Sequence, residues 1–209
     1  SGAYGNNGGT MVFDTTAGST VDGYNFNDVT VSADTIMGGN WIVGGALDVN
    51  ANLDTNGNGL DVTTNVTGTG TLTGDTGTIN VSGNVSVATF AGGAGAVDIG
   101  GDVTSGTFTE SSTTTNIGGT TVTFSTFTAN GGEVIFDSGG TTDLTSGGAY
   151  NDVTIPAGTT VTLQNNMTVN GELIVNGVLN TVGNNLTVGG ALDGSGGTLD
   201  FGNGGTVSV

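Results

Sequence analysis

Asn165–Leu192 reads NNMTVNGELIVNGVLNTVGNNLTVGGAL and says nearly the same thing twice. Asn165-Asn166-Met167-Thr168-Val169 returns nineteen residues later as Asn184-Asn185-Leu186-Thr187-Val188, and Leu173 returns as Leu192. Within each copy, apolar and polar residues alternate over short runs bounded by Asn and Gly. That is the pattern of half-buried strands between turns, and no stretch of the chain has a helical period.

Followed outward, the motif apolar-x-Val/Ile recurs at Trp41/Val43, Leu60/Val62, Ile79/Val81, Val97/Ile99 and, with a polar first place, Thr115/Ile117. A second column runs Leu47, Val66, Val85 and Val103, and a third Leu53, Leu72, Phe90, Phe108 and Phe127. Three inward columns predict an all-β fold, a β-solenoid of about 18–19 residues and three short strands per coil. One such coil cannot bury its apolar face alone, so it stacks on the next at about 4.8 Å and the stack shares one core. The paired glycines Gly44-Gly45, Gly100-Gly101, Gly118-Gly119 and Gly189-Gly190 each follow a first strand, and are expected to accept positive φ at a sharp corner.

A longer echo overlies the short one. Trp41–Val62 aligns without gaps on Met167–Val188, Gly8–Asp14 matches Gly131–Asp137, and Asn27–Val31 matches Asn151–Ile155. The expectation is one elongated solenoid over residues 1–209 with two related halves, about 8–130 and an incomplete 131–209. Between about residues 118 and 165 the register slips, as if one side were lost or added.

Composition narrows the function. The chain has 43 Gly, 18 acidic residues, and no Lys, Arg, His or Cys. Nucleic-acid binding, which rests on cationic neutralisation of phosphates, is excluded as a partner class, and anionic membranes are disfavoured for the same reason. No apolar run approaches the roughly 18 residues of a membrane helix, so membrane insertion is not expected. The start, SGAYGNNGG, is no signal peptide, and without an initiator Met it reads as a processed chain or a piece of a longer one.

Glycine-, Asn-, Thr- and Val-rich coils of nineteen residues, with phrases such as NNLTVGGAL, resemble the β-solenoids of bacterial surface and secreted proteins, the filamentous-haemagglutinin-type adhesins and autotransporter passengers. The resemblance covers about residues 10–209 and is one of repeat style. It implies a right-handed parallel β-helix at the cell surface or outside the cell, acting in adhesion or as structural material. It brings no catalytic residues. The chain departs from that family in lacking basic residues and the N-terminal region that directs secretion.

Asp54, Asn56, Asn58 and Asp61, in DTNGNGLD, form the candidate metal site, because D-x-N-x-N-G is the order of a calcium loop. Against calcium, the flanks are strands, no bidentate Glu follows, and the matching NTVGNNLT keeps almost none of the acids; a solenoid turn gives the same letters. Asp61, Asn80, Asp98 and Asn116 are predicted to stack outward as a surface ladder in which Asn separates like charges. The sequons at Asn65, Asn80, Asn84, Asn166 and Asn185 follow from the strand pattern, and Trp41 belongs to the core. Ice binding suggests itself for a Thr-rich β-helix, but a flat T-x-T array should repeat in one column, and Thr104–Thr128 is irregular by that measure.

Catalysis has almost no inventory: no His, Lys, Arg or Cys, and only Glu110, Glu133 and Glu172 beside repeat-equivalent Asp residues as a glycosidase pair. The chain is read as no enzyme. The leading expectation is a structural protein of the bacterial exterior, a solenoid that self-associates end to end into a filament, stalk or surface layer; the alternative is an adhesin segment binding glycans or a host surface.

Overall fold

The computed structural model describes residues 8–15, 18–202 and 204–209; the lead Ser1–Asn7 lies outside them. Among the described residues there is no helix, and parallel strands stack as a β-solenoid of about 10 turns with about 19 residues per coil. One coil shows how the sequence builds it. Trp41–Val43, Leu47–Val49 and Asn52–Asp54 are three-residue strands in which alternation turns Trp41, Val43, Leu47, Val49 and Leu53 inward, all with no accessible surface.

The next coil repeats these positions in register: Trp41 lies beside Leu60, Val43 beside Val62, Leu47 beside Val66 and Leu53 beside Leu72. The first column continues through Ile79, Val97 and Thr115, the second through Val85 and Val103, and the third through Phe90, Phe108 and Phe127. Three sheets of fifteen, ten and four strands result. Backbone bonds run coil to coil along the axis, as in Trp41 N–H to Gly59 O at 3.0 Å, Leu60 to Thr78 at 2.9 Å and Ile79 to Ala96 at 3.0 Å. Each coil therefore supplies the partners its neighbour lacks.

The slip is real, and it is confined to one side. The ten-stranded sheet keeps a step of nineteen through it, with Thr114 beside Glu133 and Glu133 beside Asp152. In the fifteen-stranded sheet the long strand Thr121–Thr128 pairs with Thr141–Leu144 only through Thr121 and Val122. Its far half has no hydrogen-bonded successor, and the four-stranded sheet begins at Gly148–Tyr150 instead. The core bridges the gap by contact: the Tyr150 ring lies 4.1 Å from that of Phe127.

Three expectations need correction. The corner glycines are absent from the left-handed region; a side chain on Gly101, Gly119 or Gly190 would instead run into the corner of the coil beneath, so close stacking selects them. Phe127 is only partly buried, and Phe124 joins the aromatic ladder, 4.6 Å from Phe108. Finally, the Thr-rich segment is regular in space. A change of strand parity at Ala88–Thr89 and equivalent places, with steps of eighteen and nineteen, conceals columns that the pairing makes plain: Thr71, Thr89, Thr107 and Thr126, with Thr73, Ala91, Thr109 and Thr128 beside them.

Candidate functional site

Asp54, Asn56 and Asn58 share the turn after Asn52–Asp54, whereas Asp61 faces outward on the next strand, Leu60–Val62, between Ile42 and Asn80. In the turn Asp54 Oδ1 accepts from the Asn56 N–H at 2.7 Å, and Asn56 and Gly57 take φ of 50° and 77°. Buried Thr55 donates its hydroxyl to Gly74 O in the following coil at 2.8 Å. Asn58 Nδ2 donates to Met37 O at 2.9 Å and Thr55 O at 3.0 Å, pinning the turn to the preceding coil.

The turn at Asn180–Asn184 makes the same bonds without a carboxylate. Asn180 Oδ1 accepts from Val182 N–H at 3.0 Å, Thr181 donates to Phe201 O at 2.8 Å, and Asn184 Nδ2 donates to Leu163 O at 2.8 Å. Backbone needs therefore account for the D-x-N-x-N lettering as far as Asn58, and leave Asp61 outside it. Calcium held by Asp54, Asn56, Asn58 and Asp61 would make a chelator lower the melting temperature. A turn held by its own bonds melts at the same temperature with and without chelator, and the bonds above favour that outcome.

Comparing the turns yields a second prediction. Val182 occupies the left-handed position filled by Asn56 in the other turn, with φ of 50° and more than half its surface exposed. A β-branched residue there is strained, at about 1–2 kcal/mol, whereas Gly carries no such penalty. Val182→Gly is expected to raise stability by about 1 kcal/mol, read as a higher denaturant midpoint at unchanged slope.

Above the first turn the corners stack into a shallow open groove of about 600 Å³ lined by Asn56, Asp75, Gly93, Ser112 and Asn130. Loss of hydration and then the Asp54 carboxylate hold the Asp75 carboxyl above its usual range. Among the described residues no set of three or more Asp, Glu, His or Cys side chains converges as metal ligands.

Behind the groove lies an acid in the core. Glu110 ends the strand Val103–Thr109 with no accessible surface. Its Oε1 accepts from the N–H groups of Asn130 at 2.9 Å and Gly132 at 3.2 Å, which the left-handed Gly131 (φ 85°) turns toward it. Its Oε2 and the Tyr150 hydroxyl are buried without hydrogen-bond partners. Burial pushes the Glu110 carboxyl up, against the backbone amides that lower it; burial, and then Glu110, push the Tyr150 phenol up.

Sequence reasoning missed what the corner Asn and Asp residues do. Asn65 Oδ1 accepts from Asn84 N–H, Asn84 Oδ1 from Asp102 N–H, and Asp102 Oδ1 from Thr120 N–H, each at 2.8 Å and each one coil apart. Asn166 accepts likewise from Asn185, and Asn185 from Thr206 at 3.1 Å. These oxygens satisfy corner amides that no strand reaches. Their signal was the position just before a strand, repeated at the coil period. The outward ladder Asp61, Asn80, Asp98, Asn116 is formed in register, with Asn116 Nδ2 donating to Asp98 Oδ1 at 3.2 Å.

No family model, curated protein or solved structure matches the chain.

Proposed function

We propose that the chain is a structural element of the bacterial exterior, a solenoid segment that stacks head to tail in an extracellular filament, stalk or surface layer. The observation that supports this most is the axial ladder, which the ten-stranded sheet carries from Asn25–Phe26 to Leu192–Asp193. Apolar columns, backbone bonds and corner Asn bonds all run from coil to coil, and each sheet finishes in a strand paired on one side only, such as Thr198–Asp200 and Leu192–Asp193. Such edges template further pairing, with more of the same polypeptide or with the next subunit. Contacts between two unlike ends propagate into open filaments instead of closing. The reading assigns the chain no catalysis. A second reading, an adhesin segment binding glycans or a host surface, draws on the open corner groove and its Asn56, Asp75, Ser112 and Asn130 side chains.

The 18 carboxylates stand without one cationic side chain, so end-to-end packing is opposed by charge, and salt or divalent cations should strengthen it. Electron microscopy and light scattering of the purified chain across ionic strength are expected to show rods that lengthen with salt. A monodisperse monomer at high concentration in both salt and calcium would overturn the proposal.

A further inference from the structure

The outer face of the strands that carry the aromatic ladder is itself an array. In-register pairing sets Thr71, Thr89, Thr107 and Thr126 in one column and Thr73, Ala91, Thr109 and Thr128 in the other, while Leu72, Phe90, Phe108 and Phe127 between them turn inward. Within these two columns every position but Ala91 is Thr. None is charged, in a chain carrying 18 carboxylates. Asn52 and Asp54 bound the array at one end, and the loss of pairing after Thr128 bounds it at the other.

The rungs are in register and backed by a packed ladder. In each pairing the two outward positions and the inward residue between them are partnered one to one, so the Thr pairs sit one above the next. Behind the face the Phe90 and Phe108 rings stack at 4.8 Å, and Phe108 stacks in turn on Phe127 at 6.2 Å.

We propose that this face binds ice, its ligand being the ordered water lattice at an ice surface. Strand geometry sets outward side chains about 4.8 Å apart from rung to rung and about 6.6 Å apart along each strand, so the Thr side chains form a regular two-dimensional net, as the oxygens of an ice surface do. Each Thr hydroxyl donates one hydrogen bond and accepts others, so it takes the place of a lattice water. Each γ-methyl orders the water beside it, and the branched β-carbon restricts χ1 so that little freedom is lost on binding. A carboxylate would impose its own hydration shell on the lattice, and this face has none. The proposal does not rest on filament formation.

Other occupants fit less well. Four rungs at about 4.8 Å, each about 10 Å wide, offer roughly 200 Å², against about 800 Å² per partner in a stable protein interface. Crystalline polysaccharide favours exposed aromatic platforms, and the aromatics of these strands face inward.

The test is growth of single ice crystals in the presence of the purified chain, with partition into a slowly growing ice shell. Faceted crystals, a gap between melting and freezing points, and uptake into the ice are expected. Thr107→Tyr, at the centre of the face, should abolish all three with its circular dichroism and melting temperature unchanged. Thr187→Tyr, outward on the four-stranded sheet, should leave them intact. If Thr107→Tyr does not fold, Thr109→Lys makes the same test. Round crystals at millimolar protein, or Thr107→Tyr acting as wild type, would overturn the proposal. So would binding to cellulose or chitin powder without uptake into ice, or a dimer abolished by Thr107→Tyr in a chain that leaves ice unshaped.

Discussion

Phe108→Ala is expected to lower stability by about 3–5 kcal/mol, near the top of the range for one substitution. Phe108 has no accessible surface and stacks on Phe90 at 4.8 Å, Phe124 at 4.6 Å and Phe127 at 6.2 Å. Truncation removes the burial and three ring contacts, each pair worth about 0.5–1.5 kcal/mol beyond its area. It also leaves a cavity that cannot collapse easily, because the rungs above and below are held at strand spacing by their backbone bonds. Chemical denaturation should show a lower midpoint with an unchanged slope. Phe108→Leu, which keeps most of the volume, should lose less than half as much. The neighbouring Thr107→Ala, on the outer face, should stay within about 0.5 kcal/mol of wild type. If Phe108→Ala were equally mild, the ladder would not be a packed core. Because the ladder backs the Thr array, Phe108→Ala should also weaken ice shaping, while Thr107→Tyr acts on ice alone.

The coil was legible because its physics is periodic. Trp41, Leu60, Ile79 and Val97 must face one way for the stack to close, and an apolar residue at a fixed step is what a sequence displays most directly. Other features were hidden for particular reasons. Asn65, Asn84 and Asp102 look like ordinary turn formers, and that their oxygens reach the next coil becomes evident only once the coils are stacked. The Thr columns were obscured by unequal steps, eighteen from Thr71 to Thr89 and to Thr107, then nineteen to Thr126, and by the parity change between Ala88 and Thr89. At the slip, the pattern showed that pairing shifts without showing that Tyr150 carries the core across by ring contact. In the turn at Asp54, the letters of a calcium loop and of a solenoid corner coincide, since both require oxygens at alternate positions and a left-handed residue.

Glu110 contradicts the inward apolar pattern outright, and two substitutions separate the effects of its size, its acceptor oxygen and its charge. Glu110→Ala leaves the N–H groups of Asn130 and Gly132 without their acceptor and should cost about 2–5 kcal/mol, since a buried orphaned donor costs about 1–3 kcal/mol. Glu110→Gln keeps the accepting oxygen and exchanges Oε2, which has no partner, for an amide nitrogen. The sign of the pH effect follows from the raised pKa. The folded state holds the Glu110 proton more tightly than the unfolded chain does, because burial disfavours the ionised form. Between the ordinary carboxylate value and the raised folded value, the unfolded chain has released this proton and the folded one has not, so stability falls as pH rises through that window and levels off above it. Repulsion among the other carboxylates acts in the same direction, but it is common to wild type and variant. The difference between the unfolding free energies of Glu110→Gln and wild type isolates the one group: it should be smallest in acid and grow in favour of Glu110→Gln as pH rises through the window. A difference independent of pH would show that Glu110 ionises in the folded chain as readily as in water, and that its unpaired oxygen finds a partner when charged.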